Sequence, residues 1–342
     1  MKWPWPSEPR SDRLVIACSD DAFAYVHGDR GGLRRCGLEQ RGDDTPQAFA
    51  KRVRALGLPA HDVIAVLPLA QCQLLQIEAP AVPPEELKAA ARWRIKDMVE
   101  AHLDDLTLDV MAVGDGRARA TRQLFVAAAN TRAVRETGDW TRTAGLQLSV
   151  IDIRETAQRN LQTALARAQG RAERATAALM LHGDQCLLTI SAAGELFYTR
   201  RLDWDAEVLT AAPAAGGNAA VAPADVSAAT LEMMDIVDYG AEPQDEGSAE
   251  ADVARIVIDL QRSLDVWERS WPGLPLAGIV VHANGQSAAL AALLERSLGL
   301  PVEALDPLAI FPGLDGVAAT PAVREAVLPL LGALLRDAPV SA

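Results

Sequence analysis

Residues 62–98 read DVIAVLPLAQCQLLQIEAPAVPPEELKAAARWRIKDM, and this stretch decides the fold. It opens with two runs rich in Val, Leu and Ile, side chains that favour strands. Prolines then halt the strand pattern, and apolar residues recurring every three to four positions predict a helix beyond them. The helical repeat consists of Leu87, Ala91, Ile95 and Met98. The predicted strands before and after the helix are Asp62–Leu69, Gln71–Glu78, Leu106–Val113 and Gln123–Ala129.

The helix carries the run Arg92–Met98 (RWRIKDM), which belongs to a longer pattern over residues 12–312. In order and spacing this pattern resembles the PilM-like family of type IV pilus assembly, and within it most closely the MshI group of the mannose-sensitive haemagglutinin (MSHA) pilus. The resemblance implies an α/β fold of the actin-like (ASKHA) two-domain class, with an inserted strand-helix-strand-strand subdomain as in PilM and FtsA. The other parts of the pattern are Leu67-Pro68, Leu74–Gln76, Glu85–Leu87, Ile151–Ile153, Ser263–Asp265, Gly278–Val281 and Leu298–Val302.

The resemblance also implies a division of the chain. A first actin-like domain is expected over residues 11–154, with the inserted subdomain at 62–129, and a second domain over 155–320. A terminal helix at 321–336 has apolar side chains at helical spacing, so it is expected to pack back on the first domain. Residues about 205–250 are rich in Ala, Gly, Pro and acidic side chains, which predicts a flexible insertion. Strand-like runs in the second half repeat the plan of the first, which supports a tandem fold.

Bulk composition narrows the function classes. The chain has 342 residues, 49% of them hydrophobic and 23% charged, which is typical of a globular protein of about two domains. The formal net charge of −13 argues against nucleic acid and anionic lipid as partners. The four cysteines are scattered without metal-ligand spacing, so no metal and no other cofactor is predicted. No apolar run reaches the ~18 residues of a membrane span, and no signal peptide is recognisable, so we expect a cytoplasmic protein without direct membrane insertion.

Active proteins of the actin-like superfamily hold ATP with two acid-bearing hairpins and a glycine-rich loop. By resemblance, Ala17 stands where the first hairpin has its acid, Ser19 where it has glycine, and Ala24 where it has lysine. In the second hairpin Met180 replaces the acid and His182 the glycine. Glycine at such positions lets backbone N–H groups approach phosphates, which larger residues obstruct.

The third nucleotide element, the adenosine loop, keeps one glycine, Gly285. Losing both acids and the lysine removes the groups that bind metal and clamp phosphate, so the resemblance implies a degenerate site with no catalytic residues. We therefore expect a pseudo-ATPase. The alternative is a live actin-like ATPase or kinase in which Asp20, Asp21 or Asp184 takes over through a shifted register.

The tryptophan on the inserted helix suggests protein binding. Trp93 falls off the apolar stripe between Arg92 and Arg94, and Trp and Arg are favoured anchors of protein interfaces. By resemblance, PilM-like proteins bind the tail of a membrane partner in a groove between the inserted subdomain and the first domain. The groove is therefore expected to include these three residues together with Leu74 and Phe125. The alternative is that Trp93 packs against its own domain.

The resemblance implies a non-catalytic adaptor of an MSHA-type or type IV pilus assembly platform, recruited to the cytoplasmic face of the inner membrane. Its expected partner is the N-terminal cytoplasmic tail of a bitopic inner-membrane protein, MshJ-like or PilN-like. An MshE-like assembly ATPase is a further expected contact. Besides the live ATPase, two alternatives stay open: a GspL-like cytoplasmic component of type II secretion, and an FtsA-like filament former.

Overall fold

The computed structural model describes residues 12–29, 32–114, 122–182, 185–202 and 248–336. In chain order the strands are β1 (Arg13–Cys18), β2 (Ala22–Asp29), β3 (Gly32–Gln40), β4 (Val63–Val66), β5 (Cys72–Glu78), β6 (Leu106–Ala112), β7 (Gln123–Asn130), β8 (Leu148–Asp152), β9 (Ala175–His182), β10 (Gln185–Ala192), β11 (Glu195–Leu202), β12 (Leu276–His282) and β13 (Val302–Ala304). The helices are α1 (Pro46–Ala55), α2 (Leu87–Arg94), α3 (Thr131–Thr143), α4 (Arg154–Ala168), α5 (Ser248–Ser270), α6 (Ser287–Leu298), α7 (Leu314–Val317) and α8 (Pro321–Leu334).

The first sheet has the strand order β3-β2-β1-β4-β8. Its first three strands form an antiparallel meander, and β4 and β8 add in parallel beyond β1. Both faces of the sheet are covered, which explains why β1 and β4 are almost continuous apolar runs. One face packs on α1 and α3 through Phe49, Val53 and Trp140, while Val15 and Ile64 face a second core on the other side.

The second sheet repeats this plan, with the order β11-β10-β9-β12-β13. Strands β9 to β11 are antiparallel neighbours, and β12 and β13 run parallel to β9. Helices α5 and α6 cover one face through Leu260, Trp267 and Leu294, which are buried in one apolar cluster with Phe197. The two halves of the chain therefore have the same topology.

A small antiparallel sheet, β5-β7-β6, is inserted between β4 and β8. Helix α2 covers one of its faces, where Ala91 and Ile95 pack with Val126. The opposite face carries Leu74 and Phe125, which join the apolar cluster of the second sheet. The inserted sheet is thus covered by α2 on one face and by the second half of the chain on the other.

Helix α8 returns from the C-terminal end to lie against α4 and strands β1 to β3. Asn160 donates a hydrogen bond to the carbonyl oxygen of Gly332 at 3.0 Å, and Arg336 lies 3.2 Å from the Asp152 carboxylate at the end of β8. Helix α4 also contacts β9 and β10. Because α4 contacts both α8, which lies on the first sheet, and strands of the second sheet, its packing does not assign it to one domain. The domain limit near residue 154 therefore stays a prediction.

Several local predictions were wrong at their ends. The strand predicted over Asp62–Leu69 is limited to β4, and Met98 is 48% exposed because α2 ends at Arg94, before the apolar repeat does. Strands β3 and β13 were not predicted. Most of the insertion predicted at about 205–250 lies outside the described residues, and α5 begins within its last few positions.

Candidate functional site

The positions that would carry the first hairpin's acid and lysine face each other across β1 and β2. Ala17 pairs with Ala24 in the antiparallel register. Both belong to the apolar cluster between the two sheets that also contains Met180. Met180 is 2% exposed, and Val280 and Leu328 pack in the same cluster. These positions thus come together as an apolar core, which offers no ligand for Mg²⁺ and no cation for phosphate.

The turn of the first hairpin uses its own polar groups. The Ser19 amide donates to the Ala22 carbonyl at 2.9 Å, and the Ala22 amide donates to the Ser19 hydroxyl at 3.0 Å. Asp20 and Asp21 are exposed on this turn, and the Asp21 carboxylate lies 3.6 Å from Arg41. These two amide groups are already satisfied within the turn, so in this conformation they are not available to a phosphate.

A small cavity lies beside the second hairpin, between the end of β9 and helices α4 and α8. It has a volume of about 10 Å³, hardly enough for one water molecule. Pockets that hold small ligands usually have about 300–1,000 Å³. The cavity is lined by Ala157, Gln158, Leu161, Met180, Leu181, His182, His282, Glu325, Leu328 and Pro329.

His182 and His282 both line this cavity. The His182 Nε2 lies 2.8 Å from the Gln158 Oε1, and its Nδ1 is buried with no hydrogen-bond partner among the described residues. Burial lowers the pKa of His182 well below its usual range, and the charge of Arg154 and the neighbouring His282 lower it further. Burial also lowers the pKa of His282 to about 4. Both rings are therefore neutral at pH 7.

Charged residues at the start of α4 make structural contacts. The Asp152 carboxylate accepts from the Ile153 amide at 2.9 Å and is also paired with Arg336. Buried Glu155 pairs with Arg201 at 3.1 Å, and Arg201 also donates to the Cys72 carbonyl, which joins β11 to the inserted subdomain. Each of these carboxylates is explained as a clamp between elements.

Arg154 is different, because its Nη1 is buried without a hydrogen-bond partner in the part of the chain that the structure describes. Burial lowers its pKa to about 10, against the opposing charge of Glu155. A guanidinium still carries its proton at pH 7, so it adds positive charge beside His182. No nucleophile with an adjacent general base accompanies it among the described cavity-lining residues.

The loop that would hold adenosine is closed by a side chain. Ser287 accepts a hydrogen bond from the Ala283 amide at 2.9 Å and donates to the Asn284 carbonyl at 2.8 Å. Asn284 adopts a left-handed conformation with φ of 48°. A Cβ at Gly285 would meet nothing within 4 Å, and its φ is not in the left-handed region, so the local structure does not require this retained glycine.

Helix α2 carries three of the residues predicted to bind a partner, Arg92, Trp93 and Arg94. Trp93 is 71% exposed, so the alternative of packing within its own domain is not what the structure shows. Arg92, the neighbouring residue on α2, is paired with the Asp104 carboxylate at 2.8 Å. Arg94 is exposed and has no ion pair with a described residue. Met98 is also exposed on this subdomain, and together these residues form what we call the α2 surface.

The other two predicted groove residues lie elsewhere. Phe125 is 0% exposed and Leu74 is half-buried, and both pack in the apolar cluster of the second sheet. That cluster is on the face of the inserted sheet opposite to α2 and Trp93. The structure therefore does not bring Trp93 together with Leu74 and Phe125 on one surface, because α2 covers the other face of the inserted sheet, and the predicted groove stays a prediction.

Neither a metal site nor a membrane-spanning helix is found in the described part of the chain. No group of three or more His, Cys, Asp or Glu side chains within the described ranges is placed to hold a metal ion. Among the helices of these same ranges, none is both long and apolar enough to cross a bilayer. The four thiols are free, and burial raises the pKa of Cys18, Cys72 and Cys186 to about 12.

The buried polar side chains on one face of α4 were not predicted from the sequence. The Gln158 amide donates to the carbonyls of Ala178 and Leu187 at 2.9 and 3.0 Å, and Thr189 donates to the Gln162 Oε1 at 3.0 Å. These bonds satisfy polar groups buried between α4 and the second sheet. The spacing of the two glutamines, four residues apart on one helix face, was the available signal.

No protein-family model matches this sequence, and no curated protein does. Solved structures do resemble it. A chain of the PilM–PilN type IV pilus biogenesis complex is 18% identical, with a TM-score of 0.67 and a match that covers 96% of this chain and 100% of that chain. The cytoplasmic domain of EpsL, an inner membrane component of the type II secretion system of Vibrio cholerae, is 13% identical, with a TM-score of 0.41 over 73% of this chain and 95% of that chain.

A protein of unknown function from Bacteroides thetaiotaomicron, with an actin-like ATPase fold, is 9% identical with a TM-score of 0.48 over 87% of this chain and 92% of that chain. At such identities the likeness is one of fold alone. The likeness to the chain of the PilM–PilN complex, together with the repeated sheets described above, confirms the predicted class: the chain has the actin-like two-domain α/β fold.

Proposed function

We propose that this protein is a PilM-like adaptor of a type IV pilus assembly platform that binds the cytoplasmic tail of a PilN-like inner-membrane protein. The observation that carries this proposal is the likeness, at full length on both sides, to a chain of the PilM–PilN complex. The order of motifs in the sequence supports a finer assignment to the MshI group of the MSHA pilus. An MshJ-like protein is then the membrane partner, and an MshE-like ATPase is a further contact.

The proposed adaptor does not turn over nucleotide. Ala17, Ala24 and Met180 stand together in an apolar cluster where metal-binding and phosphate-binding groups would be needed. The cavity of about 10 Å³ beside Met180 and His182 leaves no room for a triphosphate at that position. Opening the apolar cluster for a charged ligand would expose apolar surface at a cost of roughly 25 cal/mol per Å², with no acid or lysine at these positions to compensate.

The tail would contact the α2 surface. A large exposed aromatic side chain beside arginines is the usual composition of an interface centre. Beside α2, β6 is an outer strand of the inserted sheet and pairs only with β7 among the described strands. An extended tail could add to this edge through backbone hydrogen bonds while one of its side chains reaches Trp93. This proposal replaces the groove predicted from the sequence.

Calorimetric titration with a synthetic N-terminal peptide of the PilN-like partner tests this role. Trp93→Ala should weaken peptide binding by about 30-fold, the equivalent of ~2 kcal/mol for an interface hot spot. The unfolding midpoint should not change, because Trp93 is largely exposed. Val266→Ala, which also removes an exposed apolar side chain but on α5, serves as the control and should bind like the wild type.

Two results would contradict the proposal at different levels. Unchanged affinity of Trp93→Ala would move the tail site away from the α2 surface while leaving the adaptor role. Absence of peptide binding by the wild type would contradict the adaptor role itself.

A further inference from the structure

An open groove of about 580 Å³ lies between the end of β11 and the exposed side of α5. It is large enough to hold several side chains of a partner, unlike the small cavity beside Met180 and His182. Among the described residues, its lining has four arginines and one carboxylate. Its lining consists of Arg200, Arg201, Leu202, Ala254, Arg255, Ile258, Asp259 and Arg262.

Two of these arginines already have structural partners. Arg200 donates to the Ser263 hydroxyl at 2.9 Å and lies 3.8 Å from the Asp259 carboxylate. Arg201 is paired with Glu155. These two side chains are held in place on the strand side of the groove, and their charges are largely balanced by the two carboxylates.

Arg255 and Arg262 are exposed and have no ion pair with any described residue. They lie seven positions apart on α5, which corresponds to about 10.5 Å along a helix. Ile258 lies between them and is 45% exposed. An apolar side chain thus lies between two cations that have no ion pair among the described residues, in a protein with a net charge of −13.

We propose that this groove binds an acidic peptide segment of a partner protein, with two carboxylates contacting Arg255 and Arg262 and an apolar side chain resting on Ile258. An extended chain advances about 3.3 Å per residue, so acidic residues three positions apart span the distance between the two arginines. The recognised pattern is therefore acid-x-x-acid, with an apolar residue inside it. The groove uses different residues from the α2 surface, and it stands whether or not the tail proposal does.

A peptide carboxylate fits this groove better than a polyphosphate or an anionic bilayer. The net charge of −13 repels extended polyanions, whereas a short segment experiences mainly the local arginines. Asp259 in the lining would oppose a doubly charged phosphate close to Arg200. The exposed apolar contact at Ile258 has no use in binding a phosphate backbone.

Fluorescence anisotropy with the full chain tests the proposal. The probe is a fluorescein-labelled decapeptide with Glu at every third position and Leu between them, and a matched peptide carries Gln in place of Glu. The wild type should bind the Glu peptide saturably, and the Gln peptide at least ten-fold more weakly. The double variant Arg255→Glu/Arg262→Glu should weaken binding of the Glu peptide by at least ten-fold.

The control variant Arg135→Glu/Arg296→Glu makes the same change of net charge on exposed faces of α3 and α6. It should bind the Glu peptide within about two-fold of the wild type, since distant exposed charges are screened by salt. An equal loss in both double variants would show a long-range charge effect and overturn the groove proposal. Absence of saturable binding by the wild type would overturn it as well.

Other occupants are distinguished by two further measurements. A fluorescein-labelled single-stranded oligonucleotide of ten nucleotides, or vesicles with anionic lipid, should bind at least ten-fold more weakly than the Glu peptide; tighter binding of either overturns the proposal. The sequence 203–247 contains ten Asp and Glu residues and no Lys or Arg. A variant in which Asn and Gln replace these acids is compared with the wild type. If only the variant binds the Glu peptide, the occupant of the groove is this acidic segment of the chain and not a partner, which overturns the proposal.

Discussion

The contact between α4 and α8 can be tested at one glycine. Gly332 lies where the two helices approach closely, and a Cβ built at this position would be 2.5 Å from the carbonyl carbon of Ala157 and nearer still to its carbonyl oxygen. Real Cβ atoms essentially never come within 3.0 Å of another heavy atom. The neighbouring atoms are backbone, so no side-chain rotation can relieve the clash. Gly332→Ala must therefore move one helix away from the other.

The size of the effect follows from two opposing contributions. Overpacking a well-packed core costs about 1–3 kcal/mol, and here the shift also strains the hydrogen bond from Asn160 to the Gly332 carbonyl. Alanine is favoured over glycine within a helix by about 1 kcal/mol, which offsets part of this cost. The net expectation is a loss of about 1–2 kcal/mol in the free energy of unfolding.

Urea unfolding followed by circular dichroism measures this change. The matched control is Gly138→Ala in α3, where a Cβ would meet nothing within 4 Å. Since only the helix propensity changes there, Gly138→Ala should stabilise the protein by about 0.5–1 kcal/mol. The two Gly→Ala changes should thus have opposite signs. A Gly332→Ala variant as stable as the wild type, or more stable, would refute the close packing of α8 on α4.

Two further predictions concern Met180 and the two histidines that line the small cavity beside it. Met180→Asp places an unpaired carboxylate in an apolar core, so it should destabilise the protein by about 3 kcal/mol or more and should not create Mg²⁺-dependent ATP binding, which calorimetry would detect. Because burial holds the pKa of His182 and His282 below the unfolded value of about 6.5, the unfolded chain binds more protons at acid pH. The stability contributed by neutral His282 should be complete above pH 6.5 and should fall by up to about 1.4 kcal/mol per pH unit toward pH 4. Urea unfolding at pH 7.5 and 5.0 should therefore show a smaller loss of unfolding free energy for His282→Gln than for the wild type. An equal loss in both proteins would contradict His282 as its origin.

The tandem architecture could be predicted because buried elements leave a strong pattern. Ile256, Leu260, Leu264 and Trp267 recur at helical spacing, which indicates a core-facing helix, and all four side chains are buried in α5. Strand β3 could not be assigned from the sequence, because it is an edge strand with arginines and exposed positions. Neither an alternation of apolar and polar residues nor an apolar run marks it.

The candidate sites were less predictable because they depend on contacts between distant segments. Trp93 could be recognised as off the helix stripe, and it is indeed exposed. That Phe125 and Leu74 face away from it follows from the register of β5 and β7 and from the packing of the inserted sheet on the second half. The groove beside α5 was not predicted either. Its residues come from β11 and from α5, which are more than forty residues apart in the sequence, and no pattern in the sequence indicates that the two elements lie side by side.

The most direct test of the central claim is one calorimetric experiment on the full chain. The protein is titrated first with ATP and Mg²⁺ and then with the N-terminal peptide of the PilN-like partner. The account predicts no measurable nucleotide binding and saturable binding of the peptide. Micromolar nucleotide binding without peptide binding would contradict it, and would mean that the cleft opens and that Asp20, Asp21 or Asp184 serves in place of the missing acids.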